Sequence, residues 1–216
     1  MFFAHSLDSL FVTRRQQPAH IKWIVLAALS GIGLILMESM WPDPILRLPV
    51  QGATQKDWNA KTYWHPNWGS SGVHKGIDIF SAHGTAVLAA QAGWVVFQGT
   101  LNQGGNVTAV LSPRGWLHYY AHLDRSVAGT GTWVAANETI GFVGNSGNAK
   151  GKPAHLHYSI LSPIPRLHSF RLGPQGWKRP FYRNPDALLK SRANRPELSS
   201  AQPHPHAVEL RFHPLA

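Results

Sequence analysis

Residues 93–112 read GWVVFQGTLNQGGNVTAVLS, and they give the clearest local indication of the fold class. It contains two runs rich in β-branched and aromatic residues, GWVVFQG at 93–99 and NVTAVLS at 106–112. Residues of these types favour β-strands. Gly104 and Gly105 lie between the two runs and are typical turn residues. The stretch therefore predicts two antiparallel strands joined by a turn.

The same composition continues outward in both directions. From about Leu46 to about Leu189, similar short runs are separated by glycine, proline, asparagine and serine, and those outside the central stretch include AVLAA, WLHYYAHL, ETIGFVG and HLHYSIL. This pattern is typical of a mainly β, turn-rich domain, so we expect a small antiparallel β-sheet domain over residues 46–189. Residues 190–216 are rich in proline, serine and polar residues and are predicted to form a flexible polar tail.

A strongly apolar run precedes this domain, from Trp23 to Met37. Extended to residues 21–41, it would form a helix about 31 Å long, enough to cross a hydrocarbon core of about 30 Å. The basic residues Arg14, Arg15 and Lys22 precede the run, and nothing comparably basic follows it closely. The positive-inside rule therefore places the N-terminus in the cytoplasm.

From this run we expect a cytoplasmic segment at 1–20, a single-pass transmembrane signal anchor at 21–41, and the following domain in the periplasm or outside the cell. A cleaved signal peptide is an alternative, although no Ala-x-Ala-like site follows the run. A buried core helix is a second alternative.

The composition excludes several kinds of site. The chain has no cysteine, which rules out a disulfide scaffold, a thiolate zinc site and a cysteine nucleophile. Its formal net charge is +10, and basic residues are concentrated between Lys150 and Arg195. This region is either a solvated face or a surface that attracts an anionic wall polymer or lipid headgroups. We expect no nucleic-acid partner, because no nucleic-acid-binding motif is present.

Three short segments carry candidate catalytic residues. His155 and His157 are two residues apart in a strand-like segment, so their side chains point to the same face. His74 and Asp78 lie four residues apart, but GIDIF is a poor helix sequence, so a loop histidine and a strand-start aspartate would have to converge.

The third segment, WLHYYAHLD, spans residues 116–124. In a strand, His118, Tyr120 and His122 would fall on one face. Each of the three segments is a weak signal when it is taken alone.

Together the three segments resemble the lysostaphin-type (LytM-type) zinc endopeptidases, a family that cuts peptidoglycan peptides. The resemblance runs from about Trp64 to Leu161, and more loosely to Asn184-Pro185. It is carried by HKGIDI at 74–79, GTAVLAAQAGWVV at 84–96, YAHL at 120–123, IGFVGNSGNAKG at 140–151 and HLHY at 155–158. It implies a small antiparallel β-sheet fold with Zn2+ in a narrow groove.

The resemblance implies that His74, Asp78 and His157 bind Zn2+, and that His122 and His155 are the catalytic pair. Two neutral imidazoles, one carboxylate and one open position are typical of a catalytic zinc site. The sequence has no H-E-x-x-H motif, so an imidazole must serve as general base. Either histidine of the pair can take that role, and the substrate-binding residues are unknown.

Two features depart from the family pattern. Many members have a glutamate two residues after the second histidine of HLH, where this chain has Ser159. The stretch from Pro163 to Arg183 is also longer than expected, and it is a candidate wall of the groove.

We therefore expect a zinc metalloendopeptidase that hydrolyses amide bonds in peptidoglycan peptide stems or cross-bridges, held at the cytoplasmic membrane by its N-terminal helix. A non-catalytic wall-binding module that activates a partner hydrolase is the alternative, but all five site positions are filled here. A peptidase that acts on another protein is a third possibility.

Overall fold

The computed structural model describes residues 19–68 and 72–193. Most of the predicted cytoplasmic segment (1–18) and of the predicted polar tail (194–216) lies outside the described residues. The chain divides into two compact units, one up to Trp41 and one from Pro42 onward.

The described part of the first unit is one helix, α1 (Ala19–Met40). It contains a 19-residue segment, His20–Glu38, with a mean hydropathy of 1.8. By length and composition this segment can cross a membrane, a test that signal sequences also pass. Pro42 and Pro44 follow the helix, and because proline disfavours helical conformation in the residue before it, the helix ends at this point.

The second unit is mainly β, as expected, and the strand pairings described are all antiparallel. In chain order the strands are β1 (Pro66–Trp68), β2 (Gly72–Val73), β3 (Ile77–Phe80), β4 (Ala86–Leu88), β5 (Gly93–Leu101), β6 (Gly105–Leu111), β7 (Leu117–Ser126), β8 (Trp133–Val134), β9 (Thr139–Val143), β10 (His155–Leu161) and β11 (Tyr182–Arg183).

The large sheet has nine strands, in the order β11-β10-β7-β6-β5-β8, with β3 paired to β10 and with β9 paired to both β4 and β7. The predicted antiparallel pair at its centre is β5 and β6, in which Leu101 is opposite Gly105. Strand β10 lies between β7 on one side and β3 and β11 on the other. Strands β1 and β2 form a separate hairpin.

The core lies on one face of the sheet. Ile77 of β3, Tyr120 of β7 and Leu156 of β10 are fully buried there. Alternation along each strand turns the neighbouring residues toward the opposite face, which carries the groove described below.

The domain closes with helix α2 (Pro185–Ala193). The indole Nε1 of Trp58 donates a hydrogen bond to Oδ1 of Asp186 (2.9 Å), which ties the N-terminal part of the domain to this helix. Residues 190–193, which the sequence assigns to the tail, belong to α2. The ammonium of Lys190 lies 2.9 Å from Asp186 Oδ1, an i,i+4 pair that supports the last turn.

Candidate metal centre and active site

Strand register brings two of the candidate ligands together. His157 on β10 is directly opposite Asp78 on β3, and His157 Nδ1 lies 2.8 Å from Asp78 Oδ1. His74 lies in the short connection between β2 and β3. Its Nε2 is 3.0 Å from Asp78 Oδ1 and 3.0 Å from His157 Nδ1. The three side chains thus meet at one point, and their ligand atoms lie within 4.8 Å of one another.

Asp78 is ionised in this cluster. Burial raises the pKa of its carboxyl group, but hydrogen bonds and positive charge at His157 and His74 lower it by more. The pKa of Asp78 therefore lies far below its ordinary value.

The donor set fits a divalent cation. His74 Nδ1 lies 3.2 Å from the carbonyl oxygen of Thr62; because a carbonyl can only accept, Nδ1 donates there, and Nε2 is the ring nitrogen that faces Asp78. Either a proton on Nε2 or a metal ion bound to both atoms accounts for the 3.0 Å between His74 Nε2 and Asp78 Oδ1. Ligand atoms held tetrahedrally by zinc at about 2.0–2.1 Å lie about 3.3 Å apart, which is close to the separations found here.

The second ring nitrogen of His157 also has a partner. Its Nε2 lies 2.9 Å from the hydroxyl oxygen of Ser159, the residue two positions further along β10. Ser159 therefore occupies the place where a metal-binding histidine usually meets its outer hydrogen-bond acceptor. The departure from the HLHxE pattern retains a polar contact, but with a neutral hydroxyl.

His122 and His155 lie beside this cluster with matching orientations. His122 Nδ1 is 2.9 Å from the carbonyl oxygen of Ser146, and His155 Nδ1 is 2.8 Å from that of Pro153. Each ring donates from Nδ1, so Nε2 is the atom that carries the lone pair whenever the ring is neutral. The ring centroids are 5.1 Å apart, and that of His122 is 5.9 Å from that of His157. Burial, followed by the charges of His157 and His155, lowers the pKa of His122 to about 4.

The strand pattern predicted His118, Tyr120 and His122 on one face of β7, and this was wrong for His122. His118 and Tyr120 are buried in the core, whereas His122 lines the groove. The cause is the backbone of His122, whose φ of 63° breaks the strand alternation and turns the ring to the other side.

His118 therefore belongs to a buried network and not to the site. Its Nδ1 lies 2.7 Å from the Tyr158 hydroxyl and its Nε2 lies 3.1 Å from Gln91 Oε1. Burial lowers the pKa of His118 to about 3, so the ring is neutral under physiological conditions.

The candidate residues line a cavity of about 910 Å³ on the groove face. The residues that line it beyond the five candidates include Lys75, Phe80, Leu117, Tyr119, Lys152 and Tyr182. Tyr182 comes from the long stretch 163–183, so part of that stretch walls the groove.

Three contacts in the site were not anticipated from the sequence. The indole of Trp68 stacks on the His74 ring, with centroids 4.4 Å apart. Tyr119 meets the His157 ring edge to face, with centroids 6.4 Å apart. The Ser146 carbonyl orients His122. Strand alternation around Ala121 would have placed Tyr119 on the groove face, but the hairpin that carries Trp68 has no periodic signal.

Comparison with known proteins gives consistent results. The model of peptidase family M23 matches residues 72–165. The L-Ala–D-Glu endopeptidase of Bacillus subtilis (strain 168) is 32% identical over 182 residues, which cover 78% of this chain and 53% of that protein. The peptidoglycan DD-endopeptidase ShyC of Vibrio cholerae is 36% identical over 98 residues, 45% of this chain and 22% of that protein.

This chain thus spans about half the length of the first relative and about a fifth of the second. Among solved structures, a candidate glycyl-glycine endopeptidase LytM from Ruminococcus gnavus ATCC 29149 superposes with a TM-score of 0.54, at 23% identity, over 82% of this chain and 73% of that chain. Its fold is therefore shared. These matches confirm the resemblance carried by the HKGIDI and HLHY segments, and residues 72–165 of this chain form a peptidase family M23 domain.

Proposed function

We propose that this protein is a zinc-dependent endopeptidase that hydrolyses amide bonds in the peptide stems or cross-bridges of peptidoglycan. The observation that carries the proposal is the convergence of His74, Asp78 and His157 beside two further histidines in one groove. The relatives named as peptidoglycan or L-Ala–D-Glu endopeptidases support this substrate class.

In this proposal His74, Asp78 and His157 are the residues that would hold Zn2+. Bound there, zinc supplies Lewis-acid chemistry, because it lowers the pKa of water toward about 7 and polarises a carbonyl. The hydrogen bond of His74 to the Thr62 carbonyl and that of His157 to Ser159 orient the two proposed imidazole ligands.

His122 and His155 move the protons. The ring that is neutral has an unprotonated Nε2, which accepts the proton of the attacking water and passes it to the leaving amine. The other ring would be protonated, so that its Nε2 donates a hydrogen bond to the carbonyl oxygen and stabilises the negative charge that develops there. The lowered pKa of His122 keeps this ring neutral, and its Nε2 is therefore available as an acceptor at neutral pH.

The groove suits an extended peptide with carboxylate groups. Phe80 and Leu117 offer apolar surface, while Lys75 and Lys152 place positive charge along the lining. Stem peptides carry free carboxylates, which such ammonium groups attract. We propose that these four residues contact the substrate.

We further propose that α1 is an uncleaved, N-in signal anchor, with residues 1–20 in the cytoplasm, the helix at 21–41 and the domain at 46–189 on the periplasmic or extracellular side. The apolar segment of α1 supports this assignment. The peptidase would then act on wall peptides near the membrane surface.

The test is mass spectrometry of purified peptidoglycan after incubation with the full chain in detergent. We expect new peptide termini within stems or cross-bridges, lost when a chelator removes the metal and restored by added zinc. His83→Ala is a matched control, because His83 is an exposed histidine that lies outside the groove lining, and it should cleave normally. Intact peptidoglycan with the zinc-loaded protein would contradict the proposal, and cleavage of protein substrates alone would indicate a different peptidase.

A further inference from the structure

The stretch between β10 and β11 displays large apolar side chains in water. Within residues 163–181, here named the basic-apolar loop, the exposed apolar side chains and their exposed fractions are Leu167 (62%), Phe170 (48%), Leu172 (91%), Trp177 (65%) and Phe181 (38%). Side chains of this size are costly to expose together, and clusters of them mark interaction surfaces.

Positive charge is interleaved with these side chains. The loop carries Arg166, Arg171, Lys178 and Arg179, and its sequence has no aspartate or glutamate. Aromatic and aliphatic side chains mixed with lysine and arginine are the combination that binds the interfacial region of anionic bilayers.

Hydrogen bonds hold the loop in a defined conformation. The Ser162 backbone N–H donates to the Phe181 carbonyl (2.8 Å), and that of Arg166 donates to the Pro180 carbonyl (2.9 Å). The buried Arg183 guanidinium donates both to Pro180 (2.9 Å) and to Ile164 (2.7 Å), which clamps the two sides of the loop together. The apolar side chains are therefore held outward by the fold.

The loop lies next to the first residues of the domain. Arg166 forms an ion pair with Asp43, and Arg114 donates to the carbonyl oxygen of Pro42. Helix α1 ends at Met40, so covalent geometry alone keeps Asp43 within about 11 Å of its last residue. If α1 spans a bilayer, the loop begins close to the headgroups on the side where the domain emerges.

We propose that the basic-apolar loop is a second membrane contact, which docks on the anionic lipid surface beside the anchor. The proposal rests on the membrane anchoring proposed above. A lipid surface fits better than an anionic wall polymer, because a polar polymer gives no partner to aliphatic side chains such as Leu172 and Leu167. Docking would place the Tyr182 side of the groove near the membrane, because Tyr182 directly follows the loop.

A single-cysteine label can test this docking, because the chain contains no cysteine. Leu172→Cys is labelled with a polarity-sensitive fluorophore in the full chain, which is then reconstituted into vesicles of phosphatidylcholine, alone or in equimolar mixture with phosphatidylglycerol. Val127→Cys is the matched control. Val127 is 55% exposed and follows the last residue of β7. It lies about 30 Å along the strand from Leu117, the residue at the other end of β7, which is paired with Leu161 shortly before the loop.

We expect the Leu172→Cys label in the anionic vesicles to be quenched by nitroxide lipids and shielded from aqueous iodide, and the Val127→Cys label to show the reverse. Arg171→Gln and Lys178→Gln should each reduce the docked-to-undocked ratio about fivefold. Equal iodide quenching of the two labels would overturn the proposal. So would shielding by soluble peptidoglycan fragments in place of anionic lipid.

Flotation of the vesicles separates the possible failures. Protein that does not float with the vesicles would overturn both the anchor and the docking. Protein that floats while its Leu172→Cys label stays in water would overturn the docking alone. Peptidoglycan cleavage, measured in parallel in detergent, reports on the enzyme proposal independently of either result.

Discussion

The hydroxyl oxygen of Ser159 lies 2.9 Å from Nε2 of His157, the ring nitrogen that faces away from Asp78 and His74. The two residues are neighbours on the same face of β10, so the strand itself sets this contact. It fixes the plane of the His157 ring, and through that plane the direction of the Nδ1 lone pair. The residue that departs from the family pattern is therefore the one that orients a proposed ligand.

Ser159→Ala should weaken zinc binding without abolishing it. The substitution leaves His157 Nε2 without its partner, and loss of such an outer contact typically lowers metal affinity about 10- to 100-fold. Competition with a chelator measures the affinity. Ser126→Ala, which removes a hydroxyl bonded to Thr108, is the control and should bind zinc normally. Equal affinities for the two variants would show that Ser159 does not support the site.

Gly105→Ala should disturb His122 from a distance. Gly105 has a φ of 63°, and a Cβ there would lie 2.3 Å from Ser146 Oγ and 2.4 Å from the Gly147 nitrogen. The segment whose carbonyl orients His122 would have to move. We expect lower peptidase turnover with zinc content retained, and a greater loss of unfolding free energy than the roughly 1–2 kcal/mol typical of left-handed backbone alone.

Gly131→Ala is the control for Gly105→Ala, because it adds a side chain at a left-handed backbone position without a steric clash. Gly131 has a φ of 89°, but nothing lies within 4 Å of the position that an alanine Cβ would take there. Urea titration should show a smaller destabilisation, and turnover should be normal. If both variants lose the same stability and keep full turnover, the coupling of Gly105 to His122 is refuted.

Local sequence patterns predicted the elements of the fold well. The β-branched runs on either side of Gly104 became β5 and β6, and the spacing of His155 and His157 on β10 placed both rings on the groove side. Both outcomes depend on residue type and period, which the sequence contains. The family resemblance supplied what periodicity lacks, namely which distant segments come together.

The remaining features depend on backbone conformation and tertiary contacts. No periodic pattern in the sequence indicates a φ of 63° at His122, so strict strand alternation along β7 predicted the wrong face for this ring. The stacking of Trp68 on His74 arises from a short hairpin with an irregular register. Helix α2 runs to Ala193, beyond the predicted domain end at Leu189, and the i,i+4 pair between Asp186 and Lys190 supports its last turn.

His118 should make the protein less stable in acid. Its pKa is about 3 in the folded protein, against an ordinary value of 6.5. As pH falls below 6.5, the unfolded chain binds a proton at His118 that the folded protein does not bind. The stabilisation that comes from keeping His118 neutral is therefore complete above pH 6.5 and is lost progressively toward pH 3. Between about pH 7.5 and about pH 5, this one group should cost about 2 kcal/mol of unfolding free energy.

His118→Gln isolates that contribution, since glutamine does not titrate. Urea titrations at the two pH values should show a steeper loss for the wild type than for His118→Gln. The other acid-sensitive groups are common to both proteins and cancel in the comparison. Parallel losses would mean that His118 is protonated in the folded state at pH 5.

The anchor assignment predicts the topology of the whole chain. A reporter that is active only outside the cytoplasm should be active when fused after residue 60, and the full-length protein should resist carbonate extraction. The reason is the apolar helix preceded by basic residues. A mature N-terminus beyond Trp41 would instead establish a cleaved signal peptide.

The proposed mechanism depends on two neighbouring histidines of β10 having different roles. His157→Ala removes one of three proposed protein ligands, so zinc content and activity should both collapse. His155→Ala leaves the ligand set intact but removes a proton-transfer or charge-stabilising group, which typically costs about 100- to 10,000-fold in rate. His122→Ala should behave like His155→Ala.

The most direct test is therefore zinc content by atomic absorption, measured beside peptidoglycan cleavage on the same preparations of His155→Ala and His157→Ala. We expect about one zinc per chain with almost no cleavage for His155→Ala, and neither zinc nor cleavage for His157→Ala. Zinc lost from the first and kept by the second would reverse the ligand assignment. Zinc and full cleavage retained by both would contradict the metallopeptidase site itself.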